Sequence, residues 1–262
     1  MTPEQTAFYH TVVQPLEAQL LGLELAKLFS GDLYDMQDDP LGPVSLPDFG
    51  DHGLLLSPTQ VGRLFMAPDE SNVDIAALAE QEDGTPAGVH AQSFTDFARP
   101  ETVIDVCAYK DVIGAGVRID ALYLKTIMLR SDAPERLCTV AFALQACTAF
   151  QLGFAEVTGY AAGKGRGDAD PDEEEDDEED DLVGYQVWPK FGFDAPVQPV
   201  EFRGDHRFAQ CRSVQDVQEI DPAWWEANGG AREMRFDLAP NSRSWQVLVN
   251  YLHNAFFEEW YE

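Results

Sequence analysis

Residues 117–162 constrain the fold more than any other part of the chain. VRIDALYLKTIML, at 117–129, reads as a long strand in which Ile119, Ala121, Tyr123, Lys125 and Ile127 share one face, because side chains alternate along a strand. Ser131, Asp132, Ala133, Pro134 and Glu135 form a helix-initiating cluster. In the helix that follows, Leu137, Val140, Ala141, Leu144, Cys147 and Gln151 recur at helical spacing and make an almost wholly apolar face. Gly153 supplies the left-handed position that ends it. FAEVTGYAA, at 154–162, reads as a further strand. Strand, turn, helix and strand in this order make a βαβ-like unit, so the fold class expected is α/β with a parallel strand pair.

Charge limits what such a fold can bind. Lys and Arg number 17 against 47 Asp and Glu, a formal charge of −30 in 262 residues. Nucleic-acid binding needs clustered cations to neutralise phosphate, so it is excluded, and an anionic membrane surface is disfavoured for the same reason. No apolar run reaches the roughly 20 residues of a membrane span, and the N-terminal MTPEQTAFYH has no basic segment before an apolar one. The run DADPDEEEDDEEDD at 168–181 holds 12 of the 47 acidic residues. It repels itself and reads as a solvated, disordered insert over 164–182. It lacks the turn glycine and ligand spacing of an EF-hand. Cys107, Cys138, Cys147 and Cys211 are scattered without CxxC spacing, which indicates neither a zinc knuckle nor a redox pair and fits a reducing cytoplasm. The five histidines are equally dispersed, so no metal site is expected.

The flanks are helical and loop-like. Residues 4–29 read as helix, with Phe8, Val12, Leu16, Leu20 and Leu23 on one face and a kink at Pro15. Residues 31–58 read as loop, punctuated by four prolines. Ser57-Pro58 starts a helix, and a second short helix is expected over 71–80. TVIDVCAYK, from Thr102, reads as a strand. Asp221-Pro222 caps a short helix, 233–238 reads as a strand, and a last helix from Ser242 carries Trp245, Leu248, Val249, Leu252 and Phe256 as an apolar stripe. Trp224, Trp225, Trp245 and Trp260 gather near the C-terminus with Tyr251, Phe256, Phe257 and Tyr261, which either pack inward or offer a surface for self-association. The domain organisation expected is a helical, loop-rich region at 1–100 and an α/β domain at 101–262.

Residues 102–197 resemble the GNAT acyltransferase family. The order of the long strand at 119–129, the helix at 134–152 and the strand at 154–162 is similar, and GYQVWPKFGF at 184–193 looks like that family's Gly-Phe ending. The resemblance implies a GNAT-like mixed sheet with flanking helices, to which this chain adds the helical N-terminal region and the C-terminal amphipathic helix. It also implies acyl-CoA as cofactor, an amine as acceptor, and strand amides around Ile127 and Leu129 that align the pantetheine arm. The turn before the helix would hold the CoA pyrophosphate on backbone N–H groups. Here that turn is RSDAPER at 130–136. It has no glycine, Asp132 and Glu135 repel phosphate, and Pro134 removes a donor; Arg130 and Arg136 are the compensating charges. The tyrosine that protonates the leaving thiolate in the family often sits four residues before the glycine, where this chain has Trp188. Tyr185, three residues earlier, is the remaining candidate for general acid. Pro189 argues against helix in the second half of that segment.

Other chemistries lack their signatures. The chain has no Walker GxxxxGK[ST], no GxSxG and no HExxH, and Gly163-Lys164-Gly165-Arg166-Gly167 leads into the acidic run rather than a helix. Two functions are expected from this. The first is a diverged, non-catalytic GNAT-like protein that binds a basic protein partner; the second is an acyl-CoA-dependent N-acyltransferase.

Overall fold

A computed structural model describes residues 2–46, 49, 53–80, 86–110, 121–165, 182–202 and 204–257. The acidic run at 168–181, Ile119 and Trp260 lie outside them. The chain is α/β, with an open six-stranded sheet over residues 72–237 and a separate two-stranded hairpin. Two compact units divide it: Met1–Val157 with Leu238–Pro240, and Thr158–Asp237 with Asn241–Glu262.

The first unit opens with broken helix. A 3-10 turn at Pro3–Gln5 is followed by a π-helix at Tyr9–Val13, α1 at Gln14–Leu20 and a 3-10 helix at Glu24–Phe29. The π turn adds a residue to the repeat, so Val13 follows Phe8 into the core in place of Val12. Pro15 sits where the π-helix passes directly into α-helix, so the break in the helical repeat falls at the proline. Strands β1 (Val44–Leu46) and β2 (Leu54–Leu56) pair antiparallel within the proline-rich loop. Next, α2 (Pro58–Leu64) begins as expected: the Ser57 hydroxyl accepts from Gln60 N in a capping box with Gln60.

Residues 72–78 form a strand rather than the helix expected over 71–80. β3 (Asn72–Leu78) pairs antiparallel with β4 (Gly88–Phe94) over its whole length. Its Asp-Ile-Ala-Ala-Leu composition suits a helix, but seven cross-strand pairs outweigh so small a propensity. β4 pairs with β5 (Ile104–Tyr109), and β5 with β6 (Ala121–Thr126), all antiparallel. Pairing therefore runs across residue 100. A Cβ on Gly88 would stand 2.1 Å from Ala108 O, so that crossing of β4 and β5 admits only glycine. β6 ends at Thr126, short of the strand expected to reach 129, because the next residues turn to the segment at 97–99.

Helix α3 (Leu137–Leu152) is the centre of this unit. Thirteen of its residues are buried, so it has no solvent face. It packs against α1, α2 and the Glu24–Phe29 helix. Gln145 Nε2 donates to Leu64 O at 2.7 Å, satisfying an orphan carbonyl at the end of α2. Glu17 of α1 accepts from Arg63 of α2 at 3.0 Å and from Gln151 of α3 at 2.7 Å. Gly153 ends α3 at φ 86° as expected, but the start differs: Arg136, at φ 65°, is the N-cap, with no side-chain cap. Asp132 stands four residues before that N-cap, and its carboxylate pairs with Arg130 instead.

The second unit contains most of β7 (Glu156–Lys164), then α4 (Gly184–Lys190), α5 (Val214–Ile220), α6 (Pro222–Asn228), β8 (Gly230–Asp237) and α7 (Arg243–Leu252). Helix α4 persists through Pro189, against the expectation. The proline frees the carbonyl of Tyr185, four residues back, and the Trp225 indole N–H donates to it at 2.9 Å. Gly192, at φ 96°, passes so close to α7 that a Cβ would meet Ser244 O at 2.3 Å. Asp221 caps α6 and Ser242 caps α7, each accepting from the backbone three residues on. Trp225 and Trp245 are buried, the latter edge-on to Phe236 at 5.5 Å.

Candidate functional site

The expected cofactor turn carries its own counter-charge. Arg130 Nε and one terminal nitrogen donate to the two oxygens of Asp132 at 2.8 and 2.7 Å, a bidentate pair across two residues. Hydrogen bonding to Arg130 holds the Asp132 carboxyl below the usual carboxylate range, and the same pair pushes the guanidinium up. Arg136 lies beside Glu135 at 3.7 Å. The residues before the turn are engaged as well. Arg99 N donates to Met128 O, Arg130 N donates to Phe97 O, and Leu129 bridges Ala98. Ile127 and Leu129 are half-buried against this segment.

Arg130 also lines a groove of about 820 Å3 in the first unit. Five carboxylates share that groove: Asp32, Asp69, Glu70, Asp96 and Glu101, against Arg99 and Arg130. Asp69 is structural. Its carboxylate accepts from Ser30 Oγ at 2.7 Å and from the backbone N–H groups of Gly31 and Asp32 at 2.9 and 3.1 Å. Asp32, Glu70, Asp96 and Glu101 are exposed. The charge of Asp32 first, then burial and a hydrogen bond to Asp32, and last the charge of Glu70, push the nearby Tyr34 hydroxyl up. Phe94, 40% exposed, gives the groove an apolar patch. Sequence reasoning finds Arg130 but none of these acids. They come from three separate segments, at 32, 69–70 and 96–101, which no sequence spacing links to one another or to Arg130.

No family model, curated protein or solved structure matches the chain.

Tyr185 belongs to the second unit, where it is 2% exposed. Its hydroxyl donates to Glu226 O at 2.9 Å and accepts from Gln186 Nε2 at 2.6 Å, which ties α4 to α6. The Trp188 ring stands 5.8 Å from Phe191 and 5.1 Å from Phe193. Of the expected site residues, Ile127, Leu129, Arg130 and Arg136 lie on one stretch of chain, and Arg130 alone lines the groove. Among the described C-terminal aromatics, Trp225 and Trp245 are buried and others pack against neighbouring rings. Trp224 packs on Phe208 and Phe202 at 4.6 and 5.7 Å, and Tyr251 on Phe191 at 5.4 Å. Among the described residues, no helix is long and apolar enough to cross a membrane.

Proposed function

We propose that this chain is a diverged, non-catalytic GNAT-like protein that acts by binding a basic protein partner. One observation carries the reading: where an anion cradle is expected, Asp32, Glu70, Asp96 and Glu101 line a groove beside an Arg130 already neutralised by Asp132. Such a groove repels pyrophosphate and attracts Lys and Arg side chains, and Phe94 suits their aliphatic stems. The formal charge of −30 extends the same field and speeds encounter with a cation. The order β6, turn, α3, β7 and the close passage at Gly192 support the GNAT-like part. The four free cysteines support a reducing, cytoplasmic setting.

The test is titration of the full chain with Lys- and Arg-rich peptides at low and high salt. Binding is expected to weaken with salt, and Glu70→Gln, Asp96→Asn and Glu101→Gln together are expected to weaken it about tenfold. Affinity unchanged by these three would remove the groove from the function. Saturable acetyl-CoA binding lost in Arg130→Ala would favour acyl transfer instead.

A further inference from the structure

The four antiparallel strands β3 to β6 have two unlike faces. Val89, Ala91, Val106, Ala108, Leu122 and Leu124 make one, and it is apolar and buried. On the other, the β4–β5 register sets His90 opposite Cys107 and Gln92 opposite Asp105. Residues two apart share a face, so an imidazole, a carboxylate and a thiol come together. Their ligand atoms all lie within 4.8 Å of one another. Asp105 and Cys107 are each 4% exposed, although a polar outer face would ordinarily be solvated.

A buried carboxylate needs cationic or donor partners. One oxygen of Asp105 is hydrogen-bonded to His90 Nε2. The other faces Lys125 Nζ at 3.2 Å and Gln92 Nε2 at 3.5 Å. The register shift at Asp105/Val106 leaves Lys125 as the extra residue of β6, a bulge that aims it at Asp105. Its side chain is 53% exposed, so it can leave the carboxylate for water. Cys107 shares a hydrogen bond with the Tyr109 hydroxyl, and burial pushes its thiol up. An exposed reactive thiolate is not what this arrangement presents.

We infer that His90, Asp105 and Cys107 form a binding site for one zinc-type transition metal ion. Nitrogen, oxygen and sulfur donors together suit zinc, whereas calcium and magnesium take oxygen alone. Three protein ligands leave a fourth position open. His90 is 20% exposed at its side chain, and with Lys125 displaced the ion has a way in. Gln92 and Tyr109 stand behind the carboxylate and the sulfur and orient them. This site is independent of the acidic groove and of the function proposed for it.

Cobalt(II) distinguishes this site from acidic surface, because thiolate coordination gives a near-ultraviolet charge-transfer band and tetrahedral sites give intense visible bands. The chelator-stripped full chain is expected to show both, saturating at one ion per chain and lost on adding Zn2+. Cys107→Ser is expected to abolish the charge-transfer band although Cys138, Cys147 and Cys211 remain. His90→Ala is expected to weaken binding about tenfold or more. Lys125→Met, a half-exposed change that removes the competing ammonium, is expected to tighten binding. Absence of the band, or its survival in Cys107→Ser, would overturn the inference. Should Cys107→Ser not fold, Lys125→Met decides, and unchanged or weaker binding there counts against the site.

Discussion

Helices α3 and α7 solve the same problem in opposite ways. α7 keeps a solvent side and buries Ser244, Trp245, Leu248 and Leu252. α3 buries thirteen residues and keeps none. A one-sided helix can begin on a side-chain cap and pair its polar residues at the surface, as Ser242 and Arg243 do. A helix with no outside must meet its polar groups inside or leave them unmet: Gln145 Nε2 donates to Leu64 O, while Gln145 Oε1 and Thr148 Oγ1 are buried without a hydrogen-bond partner among the described residues. Core position thus decides what a polar residue or a cap contributes, more than the residue type does.

The largest expected difference lies in packing. Leu144→Ala in α3 should cost about 3–4 kcal/mol of unfolding free energy, through lost burial and the cavity it leaves. Gln246→Ala on the open side of α7 should stay within about 0.5 kcal/mol. Urea denaturation measures both, and equal costs would break the contrast.

The starts of the two helices should differ in sign. Ser242→Ala removes the acceptor for Trp245 N and should cost about 1 kcal/mol. Arg136 starts α3 at φ 65°, a conformation glycine adopts without strain. Arg136→Gly should therefore leave stability unchanged or raise it by about 0.5–1 kcal/mol. A loss there as large as that of Ser242→Ala would show that the Arg136 side chain, not its backbone, sets the start of α3.

The smallest effect is a pH dependence from the pairing of α7 with α5. Arg243 in its first turn pairs with Asp216 at 2.6 Å and Glu219 at 2.7 Å. Burial raises the Asp216 carboxyl, but the Arg212 and Ser213 N–H groups and the Arg243 guanidinium outweigh it, and the group ends below its ordinary value. A folded value below the unfolded one means a contribution fully present above about pH 4 and lost as pH falls through the folded value. Asp216→Asn should flatten that acid limb of the stability curve. An unchanged limb would show that Asp216 does not drive it.

Local rules located most elements. Ser57-Pro58, Asp221-Pro222 and Ser242 each start the helix expected of them, because capping chemistry is complete within four residues. Where a distant partner decides, the same rules fail. β3 needs β4 to outweigh its helical composition, and α4 needs the Trp225 indole to carry it through Pro189. Arg130 was legible as a charged turn residue, but the acids that surround it in the groove were not.

The sequence by itself determined the α/β class, the acidic field and the caps of α2, α6 and α7, since composition and short-range hydrogen bonding carry all three. Only the tertiary structure decided that Tyr185 joins two helices, that Arg130 faces carboxylates, and that His90, Asp105 and Cys107 meet. Each of these depends on strand register or helix packing between residues far apart in the chain, and no local spacing records such a meeting.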